Sequence, residues 1–505
     1  MISEFLGYAS AATTPHHLLL IVAAVVVGIV LGALPGLSST FSCAVMLPLT
    51  FTMEPTTALI FLGAIYMSST YGGSYGAILL NAPGTPQSIT TTFDGFPMVK
   101  RGDGDLAMSL ACVSSIIGGL IGIAALVLVA PPLAKIALSF GPPEFFWLAI
   151  FGLTIIASLS EGSLLKGFIS GLFGVLLSMV GTAVVSGDTR FTFGHPALVG
   201  GITIVPATIG MLCLPVVIDM VGNPAKHISV PENVQRSFRL NEAIRTLIGG
   251  KINIARSSFL GVFIGILPAA GGAIASLVAY SAALRSSKRP ELFRKGNPEG
   301  VIASESANNA SVGSSLIPTF VLGIPGTPAD AVILGAMLIQ GLQIGPALFA
   351  NQADIVWTFV AGLMCATILM FPIGIFMGRY AYKFILNFPK VLLVPLVSSM
   401  ILIGAFAIEN NYFDVILTVI LGIFAWTIGK YGFSAAPIVL GLLLGPIAER
   451  GYSQSLLIGR ATDNVPAMFF GRPICLVIIF CIILSLILPR IINLYMKKRN
   501  SHGVK

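Results

Sequence analysis

The sequence predicts an all-α polytopic membrane protein made of two inverted structural repeats, with broken or re-entrant helices and roughly 10–14 membrane segments. Composition is the first ground. Of 505 residues, 55% are apolar and 10% charged, and mean hydropathy is +0.94, whereas a soluble chain carries about 25% charge. The second ground is a motif written twice. Pro-Gly-Thr-Pro stands at 83–86 and again at 325–328. The third is its companion. A Leu-Pro breaker precedes each copy by about fifty residues, at Pro35 in "GALPG" and Pro268 in "GILPAAGG". Hydrocarbon offers the backbone no partner, so such breakers mark helices that stop against protein or water. A stopped helix presents free amides and a positive dipole end, which suits an anion. Interruptions in corresponding halves point to a secondary transporter's binding site.

In chain order, 1–17 has no Lys or Arg and does not read as a cleaved signal. Residues 18–34 span. The apolar stretch 38–51 covers only about half a bilayer, since about 20 residues are needed to cross, and reads as re-entrant or broken. Residues 57–80 span, 81–105 are polar and punctuated by Gly and Pro, and 106–130 span. Three further apolar segments follow at 144–160, 164–181 and 198–221. The second half repeats the plan. Residues 259–283 break around Pro268, 285–295 form a basic loop, and 297–315 are weakly apolar. Residues 316–341 carry the second Pro-Gly-Thr-Pro. Apolar segments at 355–377, 391–408, 415–428, 436–447 and 473–488 complete the membrane part. A further echo, "GVLLSMVG" at 174–181 and "GIFAWTIG" at 422–429, supports duplication.

These segments divide the chain into a first membrane repeat (1–222), a basic linker (223–256), a second repeat (257–460), and a C-terminal helix with a basic tail (461–505). The linker and the tail Lys497-Lys498-Arg499 are expected on the cytoplasmic side by the positive-inside rule. The net charge of +8 therefore reports topology. No basic stripe interleaves with aromatics, so nucleic acid is not an expected partner. The six cysteines lie singly, without metal spacing, and the five histidines are scattered. No cofactor is expected beyond Na+ as a candidate coupling ion. No phosphate loop, dinucleotide fingerprint, GxSxG or HExxH is present, so the chain does not read as an enzyme or an ATP-driven pump. The Gly-rich run at 118–122 reads as helix packing.

The candidate substrate contacts flank the breakers. They are Gly36, Ser38, Ser39, Asn81, Gly84, Thr85 and Gln87 in the first half. In the second they are Gly271, Gly272, Asn308, Asn309, Ser311, Gly326 and Thr327. Glycine lets backbone amides approach a carboxylate, and Ser, Thr and Asn supply donors where water is scarce. Small residues also line helix interfaces without touching a ligand. The coincidence of breaker and polar side chain, twice over, favours the site. Glu305 and Asp330 are acids within apolar sequence, where charge is costly, and are the ion-coupling candidates. An acid at a water interface or paired with a nearby base is the alternative for each.

These stretches resemble the large membrane subunit of the tripartite tricarboxylate transporters. The matching segments include "YGGSYGAILLNAPGTPQSITTTFDGFPMVKRGD", "SESANNASVGSSLIPTFVLGIPGTPADAVILGAMLIQGLQIGPALF" and "FSAAPIVLGLLLGPIAERGYSQSL". With "GALPGLSSTFSCAVMLPLTF" and "RFTFGHPALVGGITIVPATIG", they cover nearly the whole chain. The resemblance implies a multi-pass protein of the bacterial inner membrane that takes up carboxylates on an ion gradient. It implies two partners, a small four-helix membrane subunit and a periplasmic solute-binding protein, and leaves room for a homodimer of the heteromeric complex. An elevator motion is expected from the re-entrant segments. A passive anion channel or a membrane scaffold is the competing reading, and no run of one charge sign lines a pore in the sequence.

Overall fold

The computed structural model describes residues 2–34, 37–159, 164–183, 185–222, 239–268, 271–387 and 390–485. They are helical almost throughout. The first half holds α1 (Ile2–Ala12), α2 (Pro15–Ala33), α3 (Ser39–Met46), α4 (Pro55–Leu80), α5 (Ile89–Lys100), α6 (Gly104–Ala137), α7 (Pro142–Leu159), α8 (Leu164–Ser178) and α9 (Ile204–Gly222). After α10 (Leu240–Gly249) the second half holds α11 (Lys251–Ile266), α12 (Gly271–Ser286), α13 (Pro298–Leu322), α14 (Pro328–Ile339) and α15 (Pro346–Asn351). It continues with α16 (Ala353–Asn387), α17 (Lys390–Glu409), α18 (Tyr412–Lys430), α19 (Ala435–Ala461), α20 (Val465–Phe470) and α21 (Pro473–Ser485). A two-stranded antiparallel ribbon, Gly181–Thr182 with Thr189–Arg190, joins α8 to α9.

Among the described residues, five helices are long and apolar enough to cross a membrane, or six if the α10–α11 pair, bent by 82°, is one span. Shorter apolar helices include Ser39–Thr50 and Pro328–Ile339. Ser39–Thr50 extends α3 by a 3-10 turn and measures about 18 Å at the helical rise, too short to cross. The protein is thus an all-α, multi-pass membrane protein with interrupted helices.

The centre is made by α4 and α13. Proline opens both helices, and residues in the left-handed region close them, Asn81 at φ 53° and Gly323 at φ 69°. Every residue from Thr57 to Leu80 and from Gly300 to Val321 is buried. Both helices are rich in Ser, Gly and Thr, which let backbones approach closely. Residues 297–315, weakly apolar in the sequence, are therefore the greater part of a core helix. A side chain at Gly118 or Gly122 of α6 would overlap the carbonyls of Ser306 and Ala310 of α13. The 81–105 stretch holds a helix that its polarity concealed, α5.

The two halves pack by exchange. α2 lies on α4 as α11 lies on α13. Across the halves, α6 packs on α13 and α16 on α4, α8 on α19 and α18 on α9, α3 on α14 and α12 on α5. Each pair has its counterpart when the repeats are swapped. Of the linker 223–256, residues 239–256 form α10 and the start of α11, and 223–238 lie outside the described residues, as does the basic tail.

Candidate functional site

Four half-helix starts define the site. Ser38 caps α3 by accepting the Phe41 amide at 3.0 Å. The fully buried Ser39 shares a 3.1 Å hydrogen bond with Thr70 of α4. The chain reaches Ser38 from Leu34, which is extended (φ −78°, ψ 120°). Pro35 and Gly36 lie outside the described residues, as do Ala269 and Ala270. In the second half Leu267 is extended in the same way, and Gly271 starts α12 at φ +62°.

The first crossover passes through Gly84, whose amide donates to the Gly73 carbonyl at 3.2 Å. A Cβ at Gly84 would overlap the Gly32 carbonyl, so only glycine lets the loop cross α2 here. Thr85 is buried beside Ser88, oxygen to oxygen 3.0 Å. In the second crossover the Gly326 amide donates to Thr319 Oγ1 at 3.2 Å. Thr327 caps α14 by accepting the Asp330 amide at 3.2 Å, and its hydroxyl donates to Asp330 Oδ2 at 2.8 Å. Tyr66 of α4 brings its hydroxyl to 2.9 Å from Thr327 Oγ1. Ser315 donates to Asp330 Oδ1 at 3.2 Å.

These elements meet at the start of α12. A Cβ on Gly272 would lie 2.5 Å from Asn308 Oδ1 and 3.0 Å from both Ser311 Oγ and Gln87 Cγ. A Cβ on Gly271 would lie 3.8 Å from Thr327 Cγ2. The first crossover, the α12 start, mid-α13 and the α14 cap therefore share one cleft. Asn308 is fully buried, and neither atom of its amide bonds any described residue. Gln87 Oε1 and Asn309 Oδ1 are likewise unpartnered. Such orphans cost about 1–3 kcal/mol each, which a fold tolerates where a ligand completes the bonds. Ser311 spends its hydroxyl on the Asn308 carbonyl at 2.7 Å. The residues that meet here carry no positive side chain. What they offer is amide, hydroxyl and glycine at a helix start, a set suited to a carboxylate.

Glu305 lies one turn before Asn308 and Asn309. Thr91 of α5 donates to its Oε1 at 2.5 Å and Ser115 of α6 to its Oε2 at 3.0 Å. The Asn309 amide donates to the Glu305 carbonyl at 3.3 Å. Glu305 thus ties α13 to α5 and α6 beside the cleft. Among the described residues no group of three or more His, Cys, Asp or Glu could hold a metal ion.

Of the sequence candidates, Gln87, Gly271, Gly272, Asn308, Ser311 and Thr327 come together. Ser38, Gly84, Thr85 and Gly326 lie in the surrounding turns, Ser39 opens α3, and Asn309 sits within α13. Asn81 is exposed and faces Thr92, Phe96, Lys100 and Arg294 in a separate open pocket, so the structure does not bring it to the cleft. Its left-handed backbone closes α4. Sequence reasoning missed Tyr66, Thr91 and Ser115, which sit in runs of small or apolar residues without a distinguishing pattern. It also missed Asp94 of α5. That buried carboxylate accepts the amides of Gly296 at 2.8 Å and Asn297 at 2.7 Å and the Tyr280 hydroxyl at 2.8 Å. It pins the loop before α13 to α5.

Interrupted helices meeting at a buried, incompletely bonded polar cluster define a multi-pass membrane protein. Residues 18–440 match the model of the tripartite tricarboxylate transporter TctA family, and the chain belongs to that family. It is accordingly a transporter subunit that works with other subunits, and not an enzyme. The chain is 35% identical over 469 residues, 93% of its length and 92% of the relative's, to the "uncharacterized 52.8 kDa protein in TAR-I ttuC' 3'region" of Agrobacterium vitis. It is 33% identical over 231 residues to the "uncharacterized protein in TAR-II ttuC' 3'region" of the same organism, covering 45% of this chain and 94% of the relative. No solved structure matches.

Proposed function

We propose that this chain is the large permease subunit of a binding-protein-dependent secondary transporter that takes up tricarboxylates or related carboxylates across the bacterial inner membrane. A periplasmic solute-binding protein delivers the anion, and a small four-helix subunit completes the membrane complex. The repeats lie inverted in the bilayer, so the half-helix starts meet near its middle. The observation that carries this reading is the fully buried Asn308 amide, unpartnered against the first residues of α12. A carboxylate there takes the amide hydrogens of Asn308 and the free backbone amides of α12. A Na+ or H+ gradient drives uptake. Glu305, held by hydroxyls from two helices, is the coupling acid, and the unpartnered Asn309 Oδ1 a turn away is a ready cation ligand. Movement of the cleft as a unit, in the manner of an elevator, exposes it alternately.

The test is uptake of radiolabelled citrate and succinate into proteoliposomes holding both membrane subunits and the binding protein, with and without a Na+ or pH gradient. Uptake should follow one gradient and should be lost in Asn308→Ala. Uptake that ignores both gradients, or that Asn308→Ala leaves intact, refutes the proposal.

A further inference from the structure

Asn81, left out of the cleft, stands with Lys100 and Arg294 in an open cavity of about 520 Å³ beside the first crossover. No acid lines it among the described residues. Lys100 Nζ lies 4.8 Å from the centre of the Phe96 ring, and the Arg294 guanidinium carbon 5.5 Å from that of Phe93. Ring faces attract these cations without taking up their N–H donors. Neither cation has an ion pair among the described residues, and the Asn81 side chain has no hydrogen bond among them. The backbone of Arg294 is left-handed, φ 63°, which is uncommon for arginine and persists only where the surroundings over-determine it. They do so on both sides. Phe293 is buried, its ring 5.3 Å from that of Tyr280. Asp94 holds the amides of Gly296 and Asn297, and Arg101 donates to the Gly296 carbonyl. The loop is thus fixed with its guanidinium over α5.

We propose that Asn81, Lys100 and Arg294 form a second anion site, outside the cleft, that gathers a small carboxylate at the far end of the first crossover. A pocket lined by one sign of charge concentrates counter-ions. Two cations at one place suit an anion with two or more carboxylates, and the Asn81 amide offers a further donor. The choice of a carboxylate rests on the function proposed above; the cationic pocket itself does not. One short helix joins the two places. From Gln87 the chain rises about 8 Å to Thr92 and about 14 Å to Phe96. Thr91 faces inward to Glu305, while Thr92 beside it lines the pocket. The same end of the molecule carries the basic linker, tied down by Arg239 on Asp103 at 2.7 Å. By the positive-inside rule that end is cytoplasmic, so the site serves the side on which the anion is released.

The experiment measures equilibrium binding of labelled citrate to the purified full chain in phosphatidylcholine nanodiscs, at low and high salt. Wild type should bind citrate at two places. Asn308→Ala should remove the cleft and leave the second site, whose affinity falls steeply with salt because its cations are exposed. In that background Lys100→Gln and Arg294→Asn should each weaken the remaining binding about tenfold or more. Asparagine accepts the left-handed backbone, so an unchanged melting temperature in Arg294→Asn separates lost charge from a lost loop. No binding left in Asn308→Ala, or remaining binding that ignores both substitutions, overturns the inference and leaves the cleft standing. Two-site binding that survives Asn308→Ala removes the cleft instead, and the pocket is still judged by Lys100→Gln and Arg294→Asn. An anionic phospholipid that copurifies with wild type, is lost from both variants and is the pocket's only ligand would make it a headgroup site and overturn the inference.

Discussion

Replacing Asn308 with leucine should raise stability and weaken binding together. Leucine has nearly the shape of asparagine and no polar atoms. Asn308 buries two polar atoms that bond no described residue. Removing them relieves about 1–3 kcal/mol of unmet hydrogen bonding, and the better helix propensity of leucine adds about half a kcal/mol. The melting temperature of the detergent-solubilised chain should therefore rise. Affinity for a carboxylate should fall about tenfold or more, because a hydrogen bond to a charged group is worth about 1.5–3 kcal/mol. Asn253 supplies the control. It is a buried helical asparagine whose amide donates to the Glu299 carbonyl at 2.9 Å and whose Oδ1 accepts from Arg256 at 2.8 Å. Asn253→Leu should lower the melting temperature, since it leaves those partners unbonded. Thermal unfolding followed by light scattering or intrinsic fluorescence, with binding measured on the same samples, reads both signs. An Asn308→Leu chain that melts below wild type, or that keeps its affinity, would show that Asn308 is an ordinary packed residue and end the reasoning.

Other consequences concern the residues around the cleft. Glu305→Gln should abolish gradient-driven accumulation in proteoliposomes while substrate counterflow persists; loss of both would make Glu305 a structural tie alone. Gly84→Ala should destabilise by about 3 kcal/mol or more, because its Cβ collides with backbone, the Gly32 carbonyl. Gly272→Ala should fold and lose binding, since the methyl enters the cleft against the side chains of Asn308 and Gln87; comparison of the two melting curves separates packing from site. Asp94→Ala should cost about 3 kcal/mol by leaving the Gly296 and Asn297 amides unpaired, and should expose the loop before α13 to limited proteolysis. An unchanged cleavage pattern would count against its role as a pin.

Composition and the doubled breakers determined the class of this protein by themselves. Hydrocarbon admits so few ways to satisfy a backbone that a Pro-Gly corner inside apolar sequence can mean little else than an interrupted helix. The half-length of 38–51, the break at Pro268 and the end of the long span at residue 80 were legible for that reason, whereas 316–341, read as one segment, is divided by the stop at Gly323. Polarity misled at 81–105 and 297–315, because a helix surrounded by protein needs no apolar face toward lipid, and α13 buries its serines and asparagines against α6 and α11. Only the tertiary structure decided which candidates share a cleft. Gly272, Gln87 and Asn308 lie far apart in sequence and meet because the repeats exchange partners, while Asn81, next to the first motif, faces away. Only the fold also showed that Asn308 is unpaired and Asp330 already paired, since the state of a hydrogen bond belongs to two residues at once and is written in neither.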